Sequence, residues 1–158
     1  LERKRSALML GGGKERIDKQ HSAGKLSARE RIQAMVDPES FQESGLFAQH
    51  RATAFGMAGK EHPADGVVTG TDRVGGRVIQ IASQDFTVAG GSAGEVHCDK
   101  IAEQQRVALA RRVVVRVGNH DLSAVADGWV IEPAGRRTAG RHRVTALSEY
   151  IIERIPKL

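Results

Sequence analysis

Apolar residues recur with a helical period over positions 28–36, where Ile32, Met35 and Val36 fall on one side, and Asp37-Pro38 closes the run. Ser27 and Glu30 stand ahead of it at capping-box spacing, so each side chain can satisfy an amide at the helix start. Arg29, Glu30 and Arg31 are expected on the solvated side of this helix. Positions 1–10 mix charged and apolar residues and read as a short helix stopped by Gly11, Gly12 and Gly13. Between Phe41 and Ala64 no period holds. That stretch is expected to be loop with short strand pieces, with Phe47, Phe55 and Met57 as scattered apolar anchors.

Positions 66–69 and 77–82 are β-branched runs, and the turn-rich stretch 72–76 between them predicts a hairpin. A glycine-rich turn follows at Ala89, Gly90, Gly91, Ser92, Ala93 and Gly94, then a helical pattern from about 93 to 111, with Ser92 and Glu95 again at capping-box spacing. The next strand is expected over 113–117. Strand, helix and strand in this order imply a crossover in an α/β layer. A glycine turn before a helix gathers backbone amides at the positive helix end, an arrangement that can receive a phosphate or an oxyanion. Tight strand-to-helix packing uses the same glycines. The turn lacks the lysine of a phosphate-binding P-loop and the spacing of a dinucleotide fingerprint.

With 158 residues the chain can form one domain with a sizeable core. Hydrophobic residues at 40% and charged residues at 27% are ordinary for a soluble protein, whereas 4% aromatics leave few large anchors. No apolar run suits a membrane helix or a signal peptide, and the single Cys98 excludes an internal disulfide, so a cytoplasmic setting is expected. The net charge of +5 is unevenly spread. Residues 1–105 hold fourteen basic and fourteen acidic side chains; residues 106–158 hold ten basic ones, nine of them Arg, against five acidic. His21, His50, His62, His97 and His142 show no metal-ligand spacing, and no metal site is expected.

Several segments together resemble one family. They are Leu10-Gly11-Gly12-Gly13 with Arg16-Ile17 and Gln20-His21, the run Gly24-Lys25-Leu26-Ser27-Ala28-Arg29-Glu30-Arg31-Ile32, Asp37-Pro38-Glu39-Ser40-Phe41, Phe55-Gly56-Met57 and Asp65-Gly66-Val67-Val68-Thr69-Gly70. Ser83-Gln84-Asp85-Phe86-Thr87-Val88 and Gly90-Gly91-Ser92-Ala93-Gly94-Glu95-Val96-His97 with Lys100-Ile101 complete the set. In this order they are similar to consecutive blocks of the carboxyltransferase β subunits of biotin-dependent acyl-CoA carboxylases, acting on propionyl-CoA or acetyl-CoA, and of methylmalonyl-CoA decarboxylase α chains. The resemblance covers roughly positions 8–101.

It implies an α/β, crotonase-like fold, a spiral of ββα turns, here the amino-terminal carboxyltransferase domain in truncated form. The implied organisation is an amino-terminal helical segment (1–37), a partial CoA carboxyltransferase domain (38–118) and a degenerate basic tail (119–158). The implied reaction moves a carboxyl group from carboxybiotin to the carbon next to an acyl-CoA thioester. Acyl-CoA is then the substrate and biotin arrives on a partner protein, with biotin carboxylase, biotin carrier and further carboxyltransferase subunits as partners. The resemblance puts Gln20, His21, Gly24, Lys25, Gly90, Gly91, Ser92 and Gly94 around the acyl-CoA; no catalytic residue is assigned.

The family's next strand ends in Asp-Ser-Gly-Gly-Ala-Arg, whose glycines form an oxyanion hole. This chain reads Gly118-Asn119-His120-Asp121-Leu122-Ser123, without the paired glycines. The expectation is an inactive fragment of the enzyme. A non-catalytic CoA-binding or assembly remnant is the alternative, and a basic protein contacting nucleic acid through Arg136, Arg137, Arg141 and Arg143 is a further one.

Overall fold

A computed structural model describes residues 1–111 and 113–118. Four helices, α1 (Glu2–Met9), α2 (Lys14–Ser22), α3 (Ala28–Met35) and α4 (Glu95–Arg111), accompany four strands, β1 (Gln42–Ser44), β2 (Val67–Val74), β3 (Arg77–Gln84) and β4 (Val114–Gly118). The strands form one sheet in the order β1-β2-β3-β4. The first three are antiparallel neighbours and β4 runs parallel to β3. Hairpin β2-β3, helix α4 and parallel strand β4 thus make one ββα turn.

The hairpin is tighter than its sequence suggests. β2 continues to Val74, so the turn shrinks from 72–76 to Gly75-Gly76, where φ is 57° and 75°. Left-handed φ at both central residues suits the right-handed twist of the flanking strands, and glycine adopts it without steric cost. Asp37 fixes this turn from outside: its carboxylate accepts from the Gly75 and Gly76 amides at 3.0 and 2.8 Å. The residue that ends α3 in sequence therefore also closes the hairpin.

The two faces of the sheet differ in chemistry. Residues alternate between faces along a strand, and Val68, Val74, Ile79 and Ile81 turn to α3, where they pack with Ala28, Ile32, Met35 and Val36. Burying an Ile or Val contributes about 1.5–3 kcal/mol each, so this apolar layer is the main cohesive element. The opposite face carries Gln84, whose amide meets His97 of α4. Along α4 the inward side includes His97, Lys100 and Gln104, all buried. Helix α3 covers an apolar cluster, whereas on the α4 side buried polar side chains sit beside buried Val67 and Ala82.

Four expectations are corrected here. Positions 14–22 form α2, which the periodicity did not reveal. Arg29, Glu30 and Arg31 are not a solvated face. Arg29 makes a bidentate pair with Glu43 of β1 at 2.7 and 2.8 Å, and Arg31 is buried, donating to Ser83 Oγ at 3.2 Å and to the Gln84 carbonyl. Arginine reaches these partners because its planar fork stays at the end of a long apolar stem. Phe55 anchors nothing: it is fully exposed at a turn tip, and Phe47 is half exposed, while Leu46 enters the interior instead. α4 starts at Glu95 and is not capped by Ser92; the Ser92 hydroxyl donates to the Ala89 carbonyl at 2.9 Å and Glu95 pairs with Arg51. The sequence features at 119–158, including His120, Asp121 and the arginine cluster, lie outside the described residues. Among those described, no helix is long and apolar enough to cross a membrane.

Candidate functional site

The amino-terminal residues expected around acyl-CoA, Gln20, His21, Gly24 and Lys25, lie together where α2 ends. The Gly24 amide donates to the His21 carbonyl at 2.9 Å, and the Lys25 amide to that of Gln20 at 2.9 Å, a Schellman closure with Gly24 at φ 70°. That closure turns the chain sharply and leaves Lys25 exposed beside Gln20 and His21. His21 Nε2 lies 2.8 Å from Glu30 Oε2. Burial works to raise the Glu30 pKa, but the bonds from His21 and Ser27 prevail and hold it below its ordinary value.

A second contact docks α2 on the segment after β3. The Gly12 amide donates to Thr87 Oγ1 at 2.9 Å and Arg16 Nη1 to the Thr87 carbonyl at 2.9 Å. Any side chain at position 12 would meet that carbonyl, since a Cβ there would lie 1.9 Å from it. Thr87 is itself fixed by Asp85, whose carboxylate accepts from the Thr87 amide at 2.9 Å and hydroxyl at 2.6 Å. Between these elements lies a shallow surface depression lined by Gln20, Leu26, Ser27, Arg31, Asp85 and Thr87, among others. Of the eight residues assigned to acyl-CoA by resemblance, Gln20 lines this depression; His21, Gly24 and Lys25 adjoin it through the α2 terminus.

The glycine turn lies directly downstream of Thr87. Ala89, Gly90 and Gly91 are all left-handed, with φ of 47°, 64° and 76°. The Gly91 amide donates to the Val88 carbonyl at 2.9 Å and the Ser92 amide to that of Ala89 at 3.3 Å, so both are directed into the turn. Space around Gly90 is open. The start of α4 already holds an anion of the chain's own: Asp65 Oδ2 accepts the His97 amide at 2.8 Å. A carboxylate at this position satisfies a free amide and complements the helix dipole. Gly94 leaves room for it, as a Cβ there would come within 2.9 Å of Asp65 Oδ2.

Asp65 belongs to a left-handed turn, Ala64-Asp65-Gly66, that α4 grips with two side chains. His97 Nδ1 donates to the Asp65 carbonyl at 2.9 Å, which leaves Nε2 to accept from Gln84 at 3.2 Å. Lys100 Nζ donates to the carbonyls of Ala64, at 2.8 Å, and of Val67. Burial lowers the His97 pKa, and burial lowers that of Lys100 to about 8 against the opposing pull of Glu43 and Asp65. The sequence reading missed this cluster. Its signal was the spacing of His97, Lys100 and Gln104, which is that of one helix face.

Residues 19–129 match the model of the family described as carboxyl transferase domain. Over 105 residues the chain is 52% identical to the mitochondrial propionyl-CoA carboxylase beta chain of Rattus norvegicus, covering 65% of this chain and 19% of that protein. It is 51% identical over 109 residues to the methylmalonyl-CoA carboxyltransferase 12S subunit of Propionibacterium freudenreichii subsp. shermanii, covering 69% and 21%. Among solved structures, a transcarboxylase 12S structure with methylmalonyl-coenzyme A and methylmalonic acid bound superposes with a TM-score of 0.74 at 45% identity, over 77% of this chain and 24% of that one. The chain spans about a fifth of the length of these curated relatives. The ββα turn is accordingly one turn of a crotonase-like carboxyltransferase fold. With its match extending over most of its length, the chain belongs to the carboxyl transferase domain family.

Proposed function

We propose that this chain is the acyl-CoA side of a carboxyltransferase subunit of a biotin-dependent acyl-CoA carboxylase, and that it binds CoA thioesters without turning them over. The observation that carries the reading is the 45% identity to a solved transcarboxylase 12S structure with methylmalonyl-coenzyme A bound. In the complete reaction the bond between the biotin nitrogen and its carboxyl carbon breaks, that carbon bonds to the α-carbon of the acyl group, and the α-proton passes to the biotin nitrogen. Negative charge develops on the thioester oxygen and calls for fixed donors. The Gly91 and Ser92 amides serve the turn, so the donors must come from elsewhere, and the paired glycines of the family motif are absent after Gly118. Binding is the part this chain retains. Exposed Lys25 meets a CoA phosphate as a point charge, and open space at Gly90 permits close backbone approach. Biotin carboxylase and a biotin carrier would supply the carboxyl group from partner proteins.

Calorimetric titration with propionyl-CoA tests this. Saturable binding, weakened by Lys25→Ala, together with no decarboxylation of malonyl-CoA in excess biotin, is the expected result. Absence of heat up to millimolar ligand on folded protein removes the binding claim. Turnover abolished by Gly91→Val would make the chain an enzyme in its own right.

A further inference from the structure

Gly12 and Thr87 stand 75 positions apart in the sequence and touch in the fold. The approach is close at both neighbouring glycines: a Cβ at position 11 would lie 2.3 Å from Asp85 Oδ2, just as one at position 12 would press on the Thr87 carbonyl. Helix α2 depends on this contact. It buries no residue, and its N-cap, Gly13, has no side chain to cap with, so polar contacts set its placement. At its start the Gly12 amide donates to the Thr87 hydroxyl and the Arg16 guanidinium to the Thr87 carbonyl. At its end His21 pairs with Glu30 of α3. Thr87 is itself held: it is 4% exposed, its amide and hydroxyl donate to Asp85, and the Asp85 amide donates to the Gly66 carbonyl at 2.8 Å. From Thr87 the chain enters the glycine turn through buried Val88, whose carbonyl receives the Gly91 amide. One residue thus joins the helix that leads to Lys25 and the turn that opens at Gly90.

We propose that Thr87 is a positioning residue for acyl-CoA: by fixing the start of α2 it sets where Lys25 stands relative to Gly90, and so the span across which a CoA thioester is held. This rests on the proposed contacts of Lys25 and Gly90 with that ligand. Holding both in place before the ligand arrives removes an ordering cost from binding. The hydroxyl suits the role. It accepts from the Gly12 amide while donating to Asp85, so one atom satisfies both neighbours. A methyl in its place keeps the volume and drops both bonds. The apolar layer under α3 includes neither Thr87 nor any residue of α2, so a loosened α2 leaves that layer intact. Linkage makes the effect reciprocal: a ligand that engages Lys25 tightens the Gly12 contact as much as that contact tightens the ligand.

Calorimetric titration of the full chain with propionyl-CoA tests this in Thr87→Val, Thr87→Ser, Lys25→Ala and the double variant Thr87→Val with Lys25→Ala. Thr87→Val is expected to weaken binding about five- to tenfold, the worth of one net hydrogen bond, and Thr87→Ser, which keeps the hydroxyl, to bind as the parent does. In the Lys25→Ala background the Thr87→Val change is expected to have no further effect, because Thr87 acts through Lys25. A loss of equal size in both backgrounds is what a merely structural contact gives, and it overturns the assignment. So does saturable binding by the parent with unchanged affinity in Thr87→Val, whereas no binding by the parent removes the acyl-CoA reading itself and this role with it. Hydrogen exchange of the parent needs no variant to fold: saturating propionyl-CoA is expected to slow exchange of the Gly12 amide, and unchanged protection there overturns the assignment.

Discussion

At the scale of single residues, Lys100 is the most consequential side chain in the described structure. Its ammonium is buried against two carbonyl oxygens with no carboxylate in hydrogen-bond contact, and its pKa is about 8 where an unburied lysine has 10.5. Between these values the unfolded chain binds a proton that the folded chain does not, so stability rises with pH across this window. The cost of burying the charge is present in full below pH 8 and is relieved as pH approaches 10.5. The shift corresponds to an effect on the order of 3 kcal/mol. Urea midpoints between pH 7.5 and 10.5 should climb for the parent chain and climb much less for Lys100→Met. Equal slopes in the two proteins would show that the ammonium is solvated. The lysine itself was visible in the sequence, but its burial was not: that depends on the left-handed Ala64-Asp65-Gly66 turn, which offers its carbonyls to α4.

Among the elements, α3 is the one that local sequence specifies most completely. The Ser27 hydroxyl accepts from the Glu30 amide, the Glu30 carboxylate accepts from the Ser27 amide at 2.7 Å, and Ile32 and Met35 follow on the buried side. Cap, period and terminator agree, so the sequence reading and the structure coincide there. Ser27→Ala should lower stability by about 1 kcal/mol, read as a shift in urea midpoint with an unchanged transition slope. No shift would mean that packing of Ile32 and Met35 alone holds the helix. Helix α4 shows the opposite case. Ser92 and Glu95 carry the right spacing for a cap, yet the amide at the helix start is taken by Asp65 from a distant segment. Helix α2 went unread because it buries no residue fully and so displays no apolar stripe; its anchors are Gly12 and Arg16 on Thr87.

For the whole molecule, the two helices on opposite faces of one sheet divide the work between apolar cohesion under α3 and polar specificity under α4. His97 joins that polar layer to the sheet and to the Asp65 turn. Its folded-state pKa lies below 6.5, so on acidification the unfolded chain takes up the proton first and stability is lost as pH falls below 6.5. Comparing pH 7 with pH 5.5, the parent chain should lose more stability than His97→Gln, measured by urea unfolding. An identical loss in both would place the acid sensitivity elsewhere. What the sequence by itself determined about this protein is the family, the hairpin and the cap of α3. Each of these rests on neighbours in the chain or on an ordered series of short motifs. Only the tertiary structure decided that Arg31 is buried, that Asp65 occupies the start of α4 and that Thr87 receives α2. Those contacts join residues tens of positions apart, and a hydrogen bond or a buried charge depends on distance in space, which the order of residues does not record.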